Sequence, residues 1–177
     1  MKAFMKIHFL ALAFIAAASI SCSMKKNTAT AQIQGASGSS LMGEATFEET
    51  SDGVKMTLKV QGATPGTHAV HLHESGDCSA PDATSAGPHW NPMNKAHGKR
   101  MENDGEFHAG DIANLEVGDD GTGTLEITAK DWTIGTGTAS DVVGKAVIIH
   151  ADPDDFVSQP SGNAGSRVGC GVVTKDS

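Results

Sequence analysis

The chain has 177 residues, about the length of one ordinary domain, and a formal net charge of −8. This charge, with no large basic patch in the sequence, argues against nucleic acid or an anionic membrane surface as the main partner. Its 21 glycines, few aromatic residues and many short alternating segments favour an all-β fold rich in turns.

Residues 1–21 have the organisation of an export signal. Two lysines precede a short apolar run, and small residues then lead to Cys22. The run is too short to span a bilayer as a stable helix, and Cys22 resembles the lipid-modified cysteine of bacterial lipoproteins. We therefore expect an exported protein of the periplasm or cell envelope, anchored to a membrane through Cys22, with residues 22–29 as anchor and tether. Ordinary cleavage nearby is the alternative.

Export changes how the charge and the three cysteines are interpreted. Loss of residues 1–21, which hold two lysines and no acidic residue, brings the formal net charge from −8 to −10. With Cys22 assigned to the anchor, Cys78 and Cys170 remain as one pair in an oxidising compartment, where disulfides persist. A bridge between them would close a loop of roughly 90 residues and contribute about 4–5 kcal/mol in the chain-entropy model. Two buried free thiols are the alternative.

The folded domain is expected over residues 30–177 and contains eight predicted strands. In the clearest one, apolar and polar side chains alternate from Val54 to Val60, which is typical of a strand with one buried face. The strands are predicted at residues 30–35, 42–49, 54–61, 68–73, 109–117, 122–129, 145–150 and 167–173. Eight short strands without a helical period predict an eight-stranded antiparallel Greek-key β-barrel, sandwich-like in form, with two long functional loops.

The two long loops are residues 75–107 and 151–166. The first shows no apolar periodicity, and a structureless loop of this length is either disordered or fixed by something. Residues in or just after it that could fix it are Cys78, His89, His97, His108 and Asp111. We interpret the loop as held by a disulfide and by metal.

A pair of histidines, His71 and His73, lies in the fourth predicted strand. Side chains two positions apart point to the same face, so the two imidazoles would lie together. His68 would face the other way, and we interpret it as a hydrogen-bonded structural histidine. A His-x-His pair alone is often only packing or a solvated face. His150 ends another strand, and the loop residues bring the set to six histidines and one aspartate.

The donor types in this set suit two different metals. Four nitrogen donors suit copper, and three histidines with a carboxylate suit tetrahedral zinc. The count therefore indicates two metals that share one histidine, although spacing alone would allow other divisions.

Five motifs together resemble the copper/zinc superoxide dismutase family, and the resemblance covers residues 30–173. In chain order they are His71-Leu-His73-Glu, Gly87-Pro-His89-Trp-Asn-Pro92, His97-Gly, His108-Ala-Gly-Asp111 and Gly162-Asn-Ala-Gly-Ser-Arg167-Val-Gly-Cys170-Gly-Val-Val173.

The resemblance implies a set of roles for individual residues. Copper would bind His71, His73, His89 and His150. Zinc would bind His89, His97, His108 and Asp111, so that His89 is shared. The resemblance also implies the Cys78–Cys170 bridge. Asp154 would orient the outer nitrogens of His71 and His97, and Asp155 is the competing candidate.

The implied reaction turns two superoxide anions and two protons into dioxygen and hydrogen peroxide by copper redox cycling, with zinc structural. His89 would also give a proton, and Arg167 would hold the anion. The alternative for Arg167 is a structural arginine that binds loop carbonyls. The loop at residues 151–166 looks short and has no lysine. Any further attraction would then come from Lys95, Lys99 or Arg100, or be weaker than usual.

Two other functions compete with the enzyme as explanations of the sequence. A copper-handling lipoprotein that does not turn over substrate predicts the loss of a copper ligand or of Arg167, and none is lost. A purely structural sandwich leaves seven matched ligands unexplained. Intact His97, His108 and Asp111 disfavour a copper-only enzyme. The oligomeric state, monomer or homodimer, stays open.

Overall fold

The computed structural model describes residues 26–100 and 105–177. The predicted export signal and Cys22 lie outside these residues. The described strands are β1 (Thr28–Gly35), β2 (Met42–Thr50), β3 (Gly53–Gln61), β4 (Gly66–His73), β5 (Asp111–Val117), β6 (Gly123–Ala129), β7 (Ala146–His150), β8 (Arg167–Val172) and β9 (Thr174–Lys175). One turn of 3₁₀ helix covers Thr84–Ala86. Within the described part of the chain, no helix is long and apolar enough to cross a membrane.

Eight of the strands form a closed antiparallel barrel. Their spatial order is β1-β2-β3-β6-β5-β4-β7-β8, and β8 pairs with β1 to close the ring, while β9 pairs only with β1. The connections from β3 to β4 and from β6 to β7 pass over other strands, which is the Greek-key pattern. The predicted all-β, eight-stranded antiparallel barrel is confirmed.

The barrel interior is filled by the alternate side chains of the strands. In β3, Val54, Met56 and Leu58 are fully buried, while Lys55 and Lys59 point outward. This alternation places one apolar face of each strand in a common core, where burial of apolar surface stabilises the fold.

Strand β7 is buried on both faces because a loop covers its outer side. Ile149 joins the barrel core, whereas Ile148 packs in a smaller cluster outside it with Ala86 and Cys170. The disulfide between Cys78 and Cys170 joins that loop to β8, with 5.9 Å between the two Cα atoms. The predicted bridge is therefore confirmed, and it fixes the long loop against the strands that carry the histidines.

Candidate metal centre

Two rigid elements bring the first histidines together at one end of β4. His71 and His73 share a face of this strand, and a register shift between Val70 and His71 interrupts the pairing of β4 with β5 at that point. His73 also forms an isolated bridge with His89, which brings the long loop onto the strand. His150 is the last residue of β7, which pairs with β4 on the side opposite β5.

The predicted copper ligands form one buried group. His71, His73, His89 and His150 each offer a ring nitrogen, and these four atoms lie within 4.8 Å of one another. The nitrogens His71 Nδ1, His73 Nε2, His89 Nε2 and His150 Nε2 are buried without a hydrogen-bond partner. Buried polar atoms are normally paired, so four converging unpaired nitrogens fit a metal that favours imidazole, such as copper.

The opposite nitrogen of each ring in this group is held by an acceptor. His71 Nε2 donates to Asp154 Oδ2 at 2.8 Å, His73 Nδ1 to the Gly87 carbonyl at 2.8 Å and His150 Nδ1 to the Gly165 carbonyl at 3.3 Å. A neutral imidazole that donates at one nitrogen keeps a lone pair at the other. The contacts therefore orient the rings with their lone pairs toward the centre of the group.

The predicted zinc ligands meet at one carboxylate oxygen. Asp111 Oδ1 lies 3.0 Å from His89 Nδ1, 3.0 Å from His97 Nδ1 and 3.2 Å from His108 Nδ1. His97 Nδ1 is buried, and its close contact with Asp111 does not have the geometry of a hydrogen bond. Three imidazoles around one carboxylate are a donor set that suits tetrahedral zinc.

His71 also lies close to this second group. Four potential ligand atoms that lie within 4.8 Å of one another come from His71, His89, His97 and Asp111. His108 is not a member of this set. His71 Nε2 is occupied by Asp154, so the only nitrogen that His71 can offer is Nδ1, which faces the first group. His108, the predicted fourth zinc ligand, also lies at this group, because its Nδ1 is 3.4 Å from His89 Nδ1 and 3.2 Å from Asp111 Oδ1.

Asp154 lies between the two groups. Its Oδ2 accepts from His71 Nε2 at 2.8 Å, and its Oδ1 accepts from His97 Nε2 at 2.9 Å. Asn114 holds the Asp154 backbone at both its N–H and its carbonyl. Asp155 accepts from the backbone N–H groups of residues 157 and 158, so it caps a turn of its own loop. Of the two competing aspartates, Asp154 is the one that contacts the histidines.

The protonation of the buried groups follows from their surroundings. Burial, and secondarily the neighbouring charges, lowers the pKa of His73 to about 2, of His150 to about 3 and of His89 to about 4. These rings are therefore neutral at pH 7, as metal binding requires. Burial alone would lower the pKa of His97, but the nearby carboxylates of Asp111 and Asp154 raise it to about 9.

The two carboxylates of the site are ionised. Burial alone would raise the pKa of Asp111, but the contacts with His108, His89 and His97 hold it far below the usual range. Asp154 is shifted in the same direction, because the hydrogen bonds from His71 and His97 outweigh its burial.

A cavity of about 710 Å³ opens beside the first group, and Arg167 lines it together with His73, His89 and His150. The guanidinium donates to the Ala83 carbonyl at 2.6 Å and to the Gly87 carbonyl at 2.7 Å. Both interpretations of Arg167 are thus compatible, since two of its five N–H groups hold the loop and the side chain still lines the cavity.

The other predicted basic residues do not line this cavity. Arg100 donates to the Asp111 and Ala109 carbonyls and to Asp131. Lys95 contacts the Gly105 carbonyl, and the Lys99 ammonium lies 5.5 Å from the centre of the Phe156 ring.

His68 is structural, as expected from its position. Its Nδ1 lies 2.8 Å from the His150 carbonyl and its Nε2 2.8 Å from the Thr64 carbonyl.

Sequence reasoning missed three residues that shape the site. They are Asn114, which holds Asp154; Gln159, whose side-chain amide pairs with the backbone N–H and carbonyl of His97; and Gly162. A Cβ atom at Gly162 would lie 1.8 Å from Asp154 Oδ1, and its φ is +66°. Of these three residues, only Gly162 could have been found from the sequence, because it opens the last of the five motifs. Asn114 and Gln159 act through contacts between distant parts of the chain.

Comparisons with known proteins agree on one family. The family model described as copper/zinc superoxide dismutase matches residues 41–173. A superoxide dismutase [Cu-Zn] 3 of Arabidopsis thaliana is 43% identical over 67% of this chain and 73% of that protein. A superoxide dismutase [Cu-Zn] of Onchocerca volvulus is 38% identical over 77% of this chain and 90% of that protein.

Solved structures give the same result for the fold. A SOD-like protein from Bacillus subtilis is 36% identical and superposes with a TM-score of 0.72, covering 81% of this chain and 96% of that chain. The clock protein EA4 is 30% identical with a TM-score of 0.72, covering 85% of this chain and 96% of that one.

Proposed function

The chain belongs to the copper/zinc superoxide dismutase family, and from this premise we propose that it converts two superoxide anions and two protons into dioxygen and hydrogen peroxide. The observation that carries the proposal is the group of four buried, unpaired imidazole nitrogens beside a cavity that Arg167 also lines. The family implies copper and zinc as cofactors, and the donor sets suit both metals.

We assign the first group, His71, His73, His89 and His150, to copper. The second group, His89, His97, His108 and Asp111, would hold zinc. Copper supplies the change of oxidation state that the two half-reactions require, whereas zinc has no redox chemistry of its own and would fix the loop and His89.

His89 belongs to both groups, and this position suits it for proton transfer. Its Nδ1 lies at Asp111, while its Nε2 faces the first group and the side chain lines the cavity. We assign Nε2 as the atom that takes up a proton and gives it to the anion being reduced. The contact at Nδ1 keeps the ring in place while Nε2 is free to exchange the proton.

Arg167 is assigned to holding the anion in the cavity. A guanidinium is permanently charged and presents its N–H groups in a fixed fork. Two of these N–H groups donate to the loop carbonyls of Ala83 and Gly87. These two hydrogen bonds fix the orientation of the guanidinium and therefore of its remaining N–H groups. The Gly87 carbonyl also accepts from His73 Nδ1, which ties the position of Arg167 to that of a copper ligand.

The proposal is tested by metal reconstitution of the purified protein. The protein loaded with copper and zinc should accelerate the decay of superoxide measured by stopped-flow spectroscopy. Removal of copper should abolish the acceleration, and copper but not zinc alone should restore it. Decay no faster than with an equal concentration of metal-free protein would refute the proposal.

We also propose that the protein is exported to the periplasm or cell envelope and anchored through Cys22. The charged and apolar pattern of residues 1–21 supports export, and so does the Cys78–Cys170 disulfide, because such bridges persist in oxidising compartments. Metabolic labelling with a fatty acid should mark the wild type and not the Cys22→Ser variant; equal labelling of both would overturn the anchor.

A further inference from the structure

The charged residues around the copper-side cavity are few. Among the residues that the structure describes, three charged side chains line it: Glu74, Lys145 and Arg167. The loop at residues 151–166 also borders the cavity, but it contains no lysine or arginine and carries three aspartates. The positively charged side chains at the cavity are therefore Arg167 and Lys145, and Lys145 lies outside that loop.

Two contacts hold the side chain of Lys145 at the cavity. This half-buried residue directly precedes β7, and its Nζ lies 3.4 Å from the Glu74 carbonyl oxygen and 5.4 Å from the centre of the Trp90 ring. Both contacts attract a cation without cancelling its charge. No described carboxylate forms an ion pair with this ammonium group, so its positive charge is still presented to the cavity.

The charge of the whole chain makes a local positive group important. The formal net charge is −8, so the overall field opposes the approach of an anion. A charge at the wall of a cleft acts on the local concentration of a charged ligand and on its rate of association. Arg167 donates two hydrogen bonds to loop carbonyls beside the histidines. Lys145 has one long contact with a carbonyl, that of Glu74, so most of its N–H groups and its charge can act on an approaching anion.

We propose that Lys145 attracts the anionic substrate into the copper-side cavity and that Glu74, the acidic residue on the same wall, opposes it. The proposal rests on the proposed superoxide turnover. It assigns to the residue before β7 the attraction that the lysine-free loop does not supply.

Four single variants test it. Lys145→Gln removes the charge and Lys145→Arg retains it; Glu74→Gln removes the opposing charge. Lys59→Gln, at an exposed position on β3 that does not line the cavity, is the matched control for the loss of one positive charge. All are loaded with copper and zinc, and superoxide decay is measured at equal copper content over a range of ionic strengths.

At low ionic strength, kcat/KM should fall about two- to threefold in Lys145→Gln and rise by a similar factor in Glu74→Gln. Lys145→Arg should stay near the wild type, and Lys59→Gln should change far less than Lys145→Gln. The differences should shrink above about 0.1 M salt, where the Debye length falls to roughly 10 Å. A purely structural role of Lys145 would not give this dependence on salt.

A second measurement does not depend on turnover. Azide, a small anion, is titrated into the copper-loaded proteins and followed by visible absorption. Its affinity should fall in Lys145→Gln and rise in Glu74→Gln.

The inference is overturned if Lys145→Gln matches Lys59→Gln in both measurements, or if its loss of rate persists unchanged at high salt. If the wild type fails to accelerate superoxide decay, the proposed function is refuted. The role of Lys145 is then decided by azide alone: weaker azide binding in Lys145→Gln than in Lys59→Gln supports it, and equal binding overturns it.

Discussion

Asp154→Asn should weaken the binding of both metals while leaving the barrel folded. The carboxylate accepts from His71 at 2.8 Å and from His97 at 2.9 Å, one histidine from each group. Asparagine has almost the same shape but a single acceptor oxygen, so one histidine loses its acceptor and both lose the charge. A hydrogen bond to a charged group contributes about 1.5–3 kcal/mol, which corresponds to a loss of about 10- to 100-fold in metal affinity.

The assay is competition for copper and for zinc with chromophoric chelators at pH 7. Asp155→Asn is the matched control, because it removes the same charge from the adjacent residue, which caps its loop and does not contact the histidines. Wild-type affinity of Asp154→Asn for both metals, or an equal loss in Asp155→Asn, would refute the reasoning.

Three further predictions concern stability and the shape of the site. Replacing both Cys78 and Cys170 with serine should lower the free energy of unfolding by about 4–5 kcal/mol, measured by urea denaturation of metal-free protein; an unchanged midpoint would contradict the role of the bridge. Gly162→Ala should weaken metal affinity at least about tenfold, because its Cβ would lie 1.8 Å from Asp154 Oδ1. Gly137→Ala, also at a positive φ but with no atom within 4 Å, is its control and should bind normally. Chelation of both metals should lower the unfolding temperature, since five buried ring nitrogens then have no partner; equal thermal stability with and without metal would argue against a built metal site.

Most of the barrel could be predicted from the sequence because its strands have one buried face. Strand β3 extends from Gly53 to Gln61, one residue longer than predicted. The fifth strand was predicted from residue 109, but β5 begins at Asp111. Gly110 instead bonds to the backbones of Leu72 and Trp90, so this segment serves the metal-binding loop rather than the sheet ladder.

The site was less predictable where it depends on contacts between distant residues. The resemblance to the family implied which histidines to expect, and the structure brings them together. Nothing in the sequence pattern indicated that Asn114 would hold Asp154, because the two are 40 residues apart and no periodicity relates them. Lys145 was missed for a similar reason. It was predicted only as the first residue of a strand, and the pairing of β4 with β7 is what brings it beside Glu74.

The most direct test of the account is superoxide decay with His73→Gln compared with the wild type. His73 lies in the copper group alone, and its Nε2 is one of the four unpaired nitrogens that define that group. Glutamine can still occupy much of the space but cannot supply an imidazole donor. Copper and zinc contents are measured on the same samples. We predict rapid, copper-dependent decay with the wild type and a large loss with His73→Gln at unchanged zinc content. Full activity of His73→Gln would contradict it.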